Sequence, residues 1–328
     1  MELARLVRAF CFKLCSLVDS DRFVMEVLDK MMQKDSLHRF LLDQLDIRGE
    51  WVHLDEVWQQ LQSRADYPPP VCEVLGQALA AVVLLSATVK HRGSLILQIR
   101  GDGPVHLLVV QATPEGTVRG LARWSRVPEQ QDLAGIFGQG HIAITMEAAS
   151  ADQERYQGII ALEGGNLAQA LEGYFARSEQ LPTRLHLFSD AQVAAGVLLQ
   201  RLPGTRPPAA GPVALDEDWQ RCSLLLETLS EQELRELDAA SLVFRLFHED
   251  EPRLFEGRSV RFHCGCSLQK VSDMVRSLGE DEAQSILTEQ GMIEVTCEFC
   301  NCQYRLDPVD VAGLFTRVPV EPGSRTIH

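Results

Sequence analysis

The sequence predicts an α+β protein, with a core domain of helices and a largely antiparallel sheet, then a helical linker and a small C-terminal domain. Three observations support this prediction. A nearly all-apolar helical stretch is followed by several short apolar runs. These runs are separated from one another by turn-forming residues. A proline-rich stretch then divides these runs from an acidic segment with helical periodicity. Finally, four of the nine cysteines lie close together near the C-terminus.

These changes in composition divide the chain into four parts. We expect an N-terminal extension over residues 1–31, a core domain over 32–210, an acidic helical linker over 211–258 and a C-terminal cysteine domain over 259–328. A length of 328 residues is typical of two or three domains. A hydrophobic content of 45% is enough to build a core.

Charge and composition argue against several classes of protein. The formal net charge of −15 makes nucleic acid an unlikely main partner, because binding to a duplex requires basic patches. The chain has no run of eighteen apolar residues, so we expect no membrane span. The nine cysteines are odd in number and unevenly spaced, which does not fit a secreted disulfide framework. We therefore expect a cytoplasmic location.

The first 31 residues are interpreted as one amphipathic helix, because their apolar side chains recur at helical spacing. Arg5, Arg8 and Lys13 give this segment a basic start, so a targeting peptide has to be considered. Lys13 interrupts the apolar run and acidic residues follow soon after, which fits a secretory signal poorly. The alternative is that the working protein begins near Met31 or Met32.

The core domain is expected to begin with short elements. Asp35 or Ser36 can cap a short helix that runs through Leu41. Val71–Val89 is expected to be a long helix without a polar face, so most of its sides should be buried. The other expected helices are Asp55–Ser63 and Asn166–Ser178. The expected strands are Gly49–Leu54, Ser94–Arg100, Val105–Val110, Thr117–Trp124, His141–Met146, Gly158–Leu162, Thr183–Phe188 and Ala194–Leu202.

Nothing in the core domain indicates a catalytic site. Gly164-Gly165 lies between a strand and a helix, but the G-x-G-x-x-G spacing is absent, so we expect no nucleotide site. Glu163, Arg177 and Glu179 could form a polar cluster, for which a salt bridge is the simplest interpretation. The histidines are interpreted as surface or satisfied core residues rather than metal ligands: His91, His106, His141 and His186.

The stretch Leu202–Pro212 contains four prolines and two glycines and marks a boundary. In the 41 residues from Asp216 to Glu256, twelve acidic residues oppose four basic ones, a net charge of −8. Ser230-x-x-Glu233 is a capping box and Asp238 can cap the next helix. The segment also carries apolar stripes: Leu224, Leu225, Leu229, Leu242, Val243, Leu246 and Phe247.

Short, self-repelling helices of this kind are marginal on their own. We therefore expect the linker to fold only when its apolar stripes are docked on another part of the protein. An ordinary helical connector between two domains is an equally simple interpretation of this segment.

The cysteine pattern carries the most specific chemistry in the chain. Cys264-Gly265-Cys266 is followed thirty residues later by Cys297-Glu298-Phe299-Cys300. Two such pairs can form a closed tetrahedral thiolate site, which favours a structural zinc ion. An iron–sulfur cluster also takes four thiolates, so the identity of the metal stays open on this pattern alone. The other cysteines named here are interpreted as buried or incidental apolar residues: Cys11, Cys15, Cys72 and Cys222.

The elements around these pairs are short. We expect a strand over Ser259–His263, a helix from Ser267 or Ser272 to Leu278, a second helix containing Ile286, a strand over Met292–Thr296 and a last helix to Phe315. A module of about sixty residues has little apolar core, so the metal should supply much of its stability. Loss of the metal is expected to unfold the module.

The chain from Asp35 to Phe315 resembles the heat shock protein 33 family. Members of that family are redox-regulated, zinc-binding holdase chaperones. The resemblance rests on five motifs. They are Gly101-Asp102-Gly103-Pro104, Val118-Arg119-Gly120-Leu121-Ala122-Arg123, Glu154-Arg155-Tyr156-Gln157-Gly158, Ser178-Glu179-Gln180-Leu181-Pro182-Thr183-Arg184 and the two cysteine pairs.

The resemblance implies a fold, a cofactor and a mechanism. One Zn²⁺ per chain would bind to Cys264, Cys266, Cys297 and Cys300 in the reduced protein. Oxidants would convert the pairs to Cys264–Cys266 and Cys297–Cys300 disulfides and release the zinc. The linker would then unfold, and the protein, as a homodimer, would hold unfolding client proteins without ATP.

Two departures and two alternatives accompany this interpretation. Cys302 is a fifth thiol that the family pattern does not require, and we hypothesise that it competes in disulfide pairing or replaces a ligand. The N-terminal extension is the other departure.

One alternative function is a thiol–disulfide oxidoreductase that uses Cys297 and Cys300. The other is a constitutive interaction module in which zinc serves only as a staple.

Overall fold

The structure is a computed structural model that describes residues 34–89, 91, 93–147, 156–203 and 211–315, with the side chains of 211–215 left aside. The expected N-terminal helix, the tail after Pro319 and most of the proline-rich boundary lie outside these residues. The chain forms two compact units, Met1–Phe262 and His263–His328.

The first unit contains twelve strands and seven α-helices in its described residues. The strands are β1 (Ser36–Leu42), β2 (Ile47–Leu54), β3 (Leu95–Gly101), β4 (Val105–Ala112), β5 (Thr117–Trp124), β6 (Gly140–Met146), β7 (Tyr156–Ala161), β8 (Thr183–Ser189), β9 (Ala194–Arg201), β10 (Arg253–Leu254), β11 (Arg258–Ser259) and β12 (Arg261–Phe262). The helices are α1 (Glu56–Gln62), α2 (Pro69–Thr88), α3 (Leu133–Phe137), α4 (Leu167–Tyr174), α5 (Gly211–Glu227), α6 (Glu231–Glu236) and α7 (Ala239–Phe247).

These strands form two six-stranded sheets. The first has the order β10-β1-β2-β9-β8, with β11 also paired to β1, and the second has the order β12-β5-β4-β3-β6-β7. All of these strand pairs are antiparallel except β12 with β5. The predicted α+β class with a largely antiparallel sheet is therefore confirmed.

Helix α2 is the centre of the main core. It packs against strands of both sheets, and its side chains are buried nearly all around, as its sequence predicts. In the described residues it is also the helix that is long and apolar enough to cross a membrane, but 67% of the tested stretch is buried inside the protein. That degree of burial is the pattern of a central core helix.

The acidic linker is folded and covers the other side of the first sheet. Helices α5, α6 and α7 bury their apolar residues against that side, in a cluster that includes Phe40, Trp51, Leu242 and Phe247. The capping box of Ser230 and Glu233 is confirmed at the start of α6. The Asp238 side chain likewise accepts a hydrogen bond from the Ser241 N–H and caps α7. The predicted stripes are confirmed except at Leu224, which is 61% exposed.

The helix predicted after Asp35 is wrong. Ser36–Leu42 is strand β1, which pairs with β2 on one edge and with β10 and β11 on the other. The strand is covered on both sides, which hides the alternation that would have marked it. Asp35 instead accepts hydrogen bonds from the N–H groups of Asp55 and Val57, at 2.7 and 3.1 Å, and so supports the start of α1.

The second unit is a small α+β module. It contains helices α8 (Leu268–Leu278), α9 (Glu280–Gln290) and α10 (Pro308–Phe315) and the antiparallel hairpin of β13 (Ile293–Thr296) and β14 (Gln303–Leu306). Strand β14 and helix α3 of the first unit were not predicted. The core of the module is small: Val271, Val275, Ala283, Leu287, Ile293, Leu306 and Val311 are its buried residues.

A candidate metal centre of four cysteines

The first cysteine pair lies in the short extended segment before α8. Ser267 follows Cys266 directly and caps α8, because its side chain accepts a hydrogen bond from the Lys270 N–H. The Lys270 side chain returns to donate a hydrogen bond to the carbonyl oxygen of Gly265, at 2.5 Å. The start of α8 therefore fixes the loop that carries Cys264 and Cys266.

The second pair lies in the turn of the β13–β14 hairpin. The Cys297 N–H donates a hydrogen bond to the carbonyl oxygen of Cys302 at 2.9 Å, and the Asn301 N–H donates one to Cys297 at 2.8 Å. Asn301 adopts a left-handed conformation, with φ of 57°, which asparagine tolerates better than most residues. These bonds bring Cys297 and Cys300 to the same side of the turn.

The structure brings all four predicted cysteines together. Their sulfur atoms lie within 4.8 Å of one another. The Sγ atoms of Cys264 and Cys297 are 3.5 Å apart, and those of Cys266 and Cys300 are 3.3 Å apart. Four thiolates at a Zn–S distance of 2.3 Å on a tetrahedron would be about 3.8 Å apart. The cluster thus has the ligand type and spacing to hold one metal ion.

Hydrogen bonding and burial act differently on the four thiols. The Tyr304 hydroxyl donates a hydrogen bond to Sγ of Cys266 at 3.1 Å, which lowers the pKa of Cys266 to about 7. Burial instead raises the pKa of Cys264 and of Cys300. A metal must therefore displace protons from the more buried thiols, which makes its binding dependent on pH.

Tyr304 is the functional residue that the sequence did not indicate. It lies on β14 opposite Val295 of β13, and an aromatic residue in a strand ordinarily signals packing. The only hint in the sequence is its position four residues after Cys300.

Cys302 is exposed and is not among the four clustered sulfur atoms.

The other cysteines and the polar cluster that the sequence analysis considered lie outside the cluster of four sulfur atoms. Cys222 is fully buried and Cys72 is partly buried, and burial raises the pKa of each thiol to about 11. The predicted salt bridge joins Arg177 to Glu163 at 3.1 Å. Glu179 is not part of it, because its carboxylate accepts a hydrogen bond from the Tyr174 hydroxyl at 3.1 Å.

Comparison with known proteins agrees with this geometry. A family profile described as "Hsp33 protein" matches residues 35–307. The chain belongs to the heat shock protein 33 family. The chain is 47% identical over 298 residues to a 33 kDa chaperonin of Nitrosococcus oceani, covering 91% of this chain and 100% of that protein. It is 42% identical over 299 residues to the 33 kDa chaperonin of Methylobacillus flagellatus, with the same coverage of both chains.

A solved structure has the heat shock protein 33 fold as well. The crystal structure of the 33 kDa chaperonin of Thermotoga maritima, a heat shock protein 33 homolog, superimposes with a TM-score of 0.72. It covers 85% of this chain and 97% of its own, at 23% sequence identity. The family relatives are named chaperonins, which is consistent with a role other than catalysis.

Residues of three family motifs contribute to the architecture of the core. In the Gly101–Pro104 turn, the Asp102 carboxylate accepts a hydrogen bond from the Gln139 N–H at 2.8 Å, which ties the β3–β4 turn to the loop before β6. Tyr156 begins β7, and Glu179, in the segment Phe175–Glu179 that follows α4, accepts hydrogen bonds from both Tyr156 and Tyr174. These motifs hold elements of the core together.

Proposed function

We propose that this chain is an ATP-independent holdase chaperone that oxidation switches on. The single observation that carries the proposal is the cluster of four cysteine sulfurs within 4.8 Å, set in a module with a seven-residue apolar core. The stability of a module with so few buried residues depends on the metal ion or the disulfides that join its cysteines. The chemical state of those sulfurs can therefore control whether the module is folded.

In the reduced protein, Cys264, Cys266, Cys297 and Cys300 would hold one Zn²⁺ per chain. When bound, the ion keeps all four sulfurs deprotonated and links the segment before α8 to the β13–β14 turn. Four thiolates favour zinc over harder metals, and the closed ligand set leaves no position for water. The role of such a site is structural.

Oxidation would convert the four thiolates into two disulfides. Each disulfide forms when two thiolates give up two electrons to one molecule of peroxide or hypochlorite, so two molecules of oxidant are consumed and Zn²⁺ is released. We propose the pairs Cys264–Cys266 and Cys297–Cys300. Their proximity along the chain supports this pairing, since each disulfide stays within its own loop. Cys264–Cys297 and Cys266–Cys300 disulfides are the competing result that a disulfide map would reveal.

Loss of the metal would unfold the cysteine module and destabilise the linker. The linker helices carry much of the negative charge of the chain and are held by the apolar contacts between α5–α7 and the first sheet. Separation of the two would expose a continuous apolar surface, which is what a holdase needs to bind unfolding proteins. Unfolded or partly folded client proteins are the proposed partners, with a homodimer as the oxidised form.

The chemistry of the cysteines and the charge of the chain also bear on where the protein acts and on which partners it does not bind. A metal–thiolate switch that oxidation triggers requires a compartment that keeps thiols reduced at rest, so we propose that the protein acts in the cytoplasm. The excess of acidic residues disfavours binding to nucleic acid or to anionic membrane surfaces.

Client binding in two redox states tests the proposal. The reduced, zinc-loaded protein and the hypochlorite-treated protein are each mixed with a chemically unfolded client, and complexes are separated by size-exclusion chromatography. We expect a complex only after oxidation, with the same result for Cys302→Ser, the matched control outside the cluster. A complex only in the reduced state would instead support the stapled module. Turnover of a model disulfide substrate would support the oxidoreductase.

A further inference from the structure

The side of the first sheet that the linker covers, here called the linker-facing side, carries three histidines. Each lies two positions from an aromatic residue of the linker-covered cluster, and alternate residues of a strand face the same side of a sheet. The pairs are His38 with Phe40, His53 with Trp51, and His186 with Phe188. Ionisable side chains on a surface that is otherwise apolar are costly to charge.

His38 belongs to β1 and lies on the linker-facing side of that strand, as Phe40 does. Its ring contacts the edge of Trp51, with ring centres 5.5 Å apart, and its Nδ1 atom is buried without a hydrogen-bond partner in the described part of the chain. Burial lowers the pKa of His38, while a backbone hydrogen bond with Phe255 and the charge of Asp238 offset part of the shift. Asp238 caps α7, so part of the electrostatic environment of this histidine comes from the linker.

His186 occupies a similar position on β8, opposite Val197 of the linker-covered cluster. Burial lowers the pKa of His186, and Glu231 of α6 offsets part of this shift. His53, the third histidine, contacts the linker directly. Its Nε2 atom is 3.1 Å from the carbonyl oxygen of Arg235 in α6, and its ring stacks on Trp51.

We propose that the linker is an acid-sensitive latch, in which protonation of His38 and His186 on the linker-facing side releases helices α5–α7 from the first sheet without oxidation. This inference rests on the proposed function, because the released linker is the state in which clients are held. It adds a second input, a fall in pH, to the redox switch.

The direction of the effect follows from proton linkage. Burial lowers the pKa of both histidines, and the docked linker covers the side of the sheet on which they lie, so the docked state binds fewer protons than the released state. Docking is therefore at full strength above the ordinary histidine pKa of 6.5 and weakens as the pH falls below it. Each unit by which one pKa is lowered changes the docking equilibrium by up to tenfold.

The two acids that act on these histidines, Glu231 and Asp238, offset only part of the lowering of the pKa, so they do not reverse that direction between about pH 7.5 and about pH 5.5. The groups that neighbouring elements bring to the histidines are Asp238 for His38, Glu231 for His186 and Arg235 for His53, and the Arg235 side chain is itself paired with Asp190. Glu50 does titrate in this window, but it lies on the other side of the sheet beside Arg39.

Hydrogen exchange of the reduced, zinc-loaded full chain tests the latch. Exchange in α7 is measured at about pH 7.5 and about pH 5.5, each corrected for the intrinsic rate, with bound zinc quantified in parallel. We expect the corrected rate to rise at least about threefold in acid. A His38→Gln/His186→Gln variant should lose most of this rise, whereas His106→Gln, an exposed histidine on β4, should keep it.

The comparison of variants separates the latch from acid-driven loss of zinc, since all variants keep the same four cysteines. A flat pH response in the unmodified chain, or an equal rise in the double variant, would overturn the latch. If the double variant does not fold, the imidazoles of His38 and His186 are titrated in the unmodified chain, once reduced and once oxidised, and their pKa values test the latch. A pKa for His38 or His186 that rises on oxidation supports the latch, and unchanged values overturn it. Linker release on oxidation alone would leave the proposed function standing and remove only this inference.

Discussion

The Tyr304 hydroxyl lies 3.1 Å from Sγ of Cys266, so the hairpin that presents two of the clustered cysteines also holds a third. Tyr304 comes from β14, and its strand partner Val295 precedes Cys297 by two residues on β13. The hydrogen bond orients a sulfur that belongs to the loop before α8. Contacts of this kind around a ligand commonly tune a metal site.

Replacing Tyr304 with Phe should weaken metal binding. The change removes the hydrogen bond to Cys266 and keeps the ring, so we expect about tenfold lower zinc affinity with the hairpin intact. Competition with a chromophoric chelator measures the affinity. Tyr156→Phe removes a tyrosine hydroxyl from β7, far from the cluster in sequence, and should leave zinc affinity unchanged. Equal affinities for Tyr304→Phe and the unmodified protein would show that this hydrogen bond does not support the site.

Polar substitutions in α7 should release the linker in the reduced protein. Leu242 and Phe247 are fully buried against the first sheet, so changing each to Ser should cost about 2–5 kcal/mol of docking free energy. Limited proteolysis of the reduced protein should then cleave the linker faster, and client binding should appear without oxidation. Phe244→Ser is the matched control, because Phe244 is 66% exposed on the same helix. Equal cleavage of all three variants would contradict the docking role.

The stability of the core should depend on the pH through Glu50. This carboxyl is 1% exposed and lies 2.6 Å from the Arg39 guanidinium, and burial raises its pKa from 4.5 to about 7. The folded protein thus binds a proton that the unfolded chain releases, so the contribution of Glu50 to stability is fully present below pH 4.5 and is lost as the pH rises through about 7.

Glu50→Gln should remove this dependence. The difference in the free energy of unfolding between about pH 5 and about pH 8 should shrink by about 1–3 kcal/mol, as urea titrations followed by tryptophan fluorescence would show. Glu56→Gln, at an exposed carboxyl in the first turn of α1, should keep the dependence of the unmodified protein. An unchanged pH profile in Glu50→Gln would mean that this carboxyl stays ionised in the folded core.

Cys302 should be dispensable for metal binding. Its exposed sulfur is not among the four that cluster, so Cys302→Ser should keep one zinc per chain. The hypothesis that Cys302 competes in disulfide pairing predicts a different disulfide map after oxidation of this variant. Mass spectrometry of the oxidised peptides would show it, and identical maps would remove Cys302 from the mechanism.

The sequence predicted the cysteine cluster because ligand spacing is a local property. Two close pairs can converge on one ion whatever fold surrounds them. It did not predict Tyr304, since a tyrosine that supports a sulfur looks the same as one that packs in a strand. The capping residues Ser230 and Asp238 were predicted for the same local reason, and both are confirmed.

Features that depend on distant partners were harder to predict. Leu37, Phe40 and Leu41 recur at helical spacing, yet they lie in β1 because sheet pairing and burial on both sides outweigh that local pattern. The linker stripes predicted a docking partner without identifying it. The partner is a sheet side assembled from strands far apart in the sequence, and its three histidines are visible as a group only in the folded chain.

Reversible suppression of client aggregation is the decisive measurement for a switch formed by the four cysteines. One sample of the full chain is assayed with a chemically unfolded client when reduced and zinc-loaded, again after hypochlorite treatment, and again after reduction with zinc restored. We expect aggregation in the first state, suppression in the second and aggregation in the third. Equal suppression in all three states, or suppression lost on oxidation, would contradict the claim that the four cysteines switch the chaperone on.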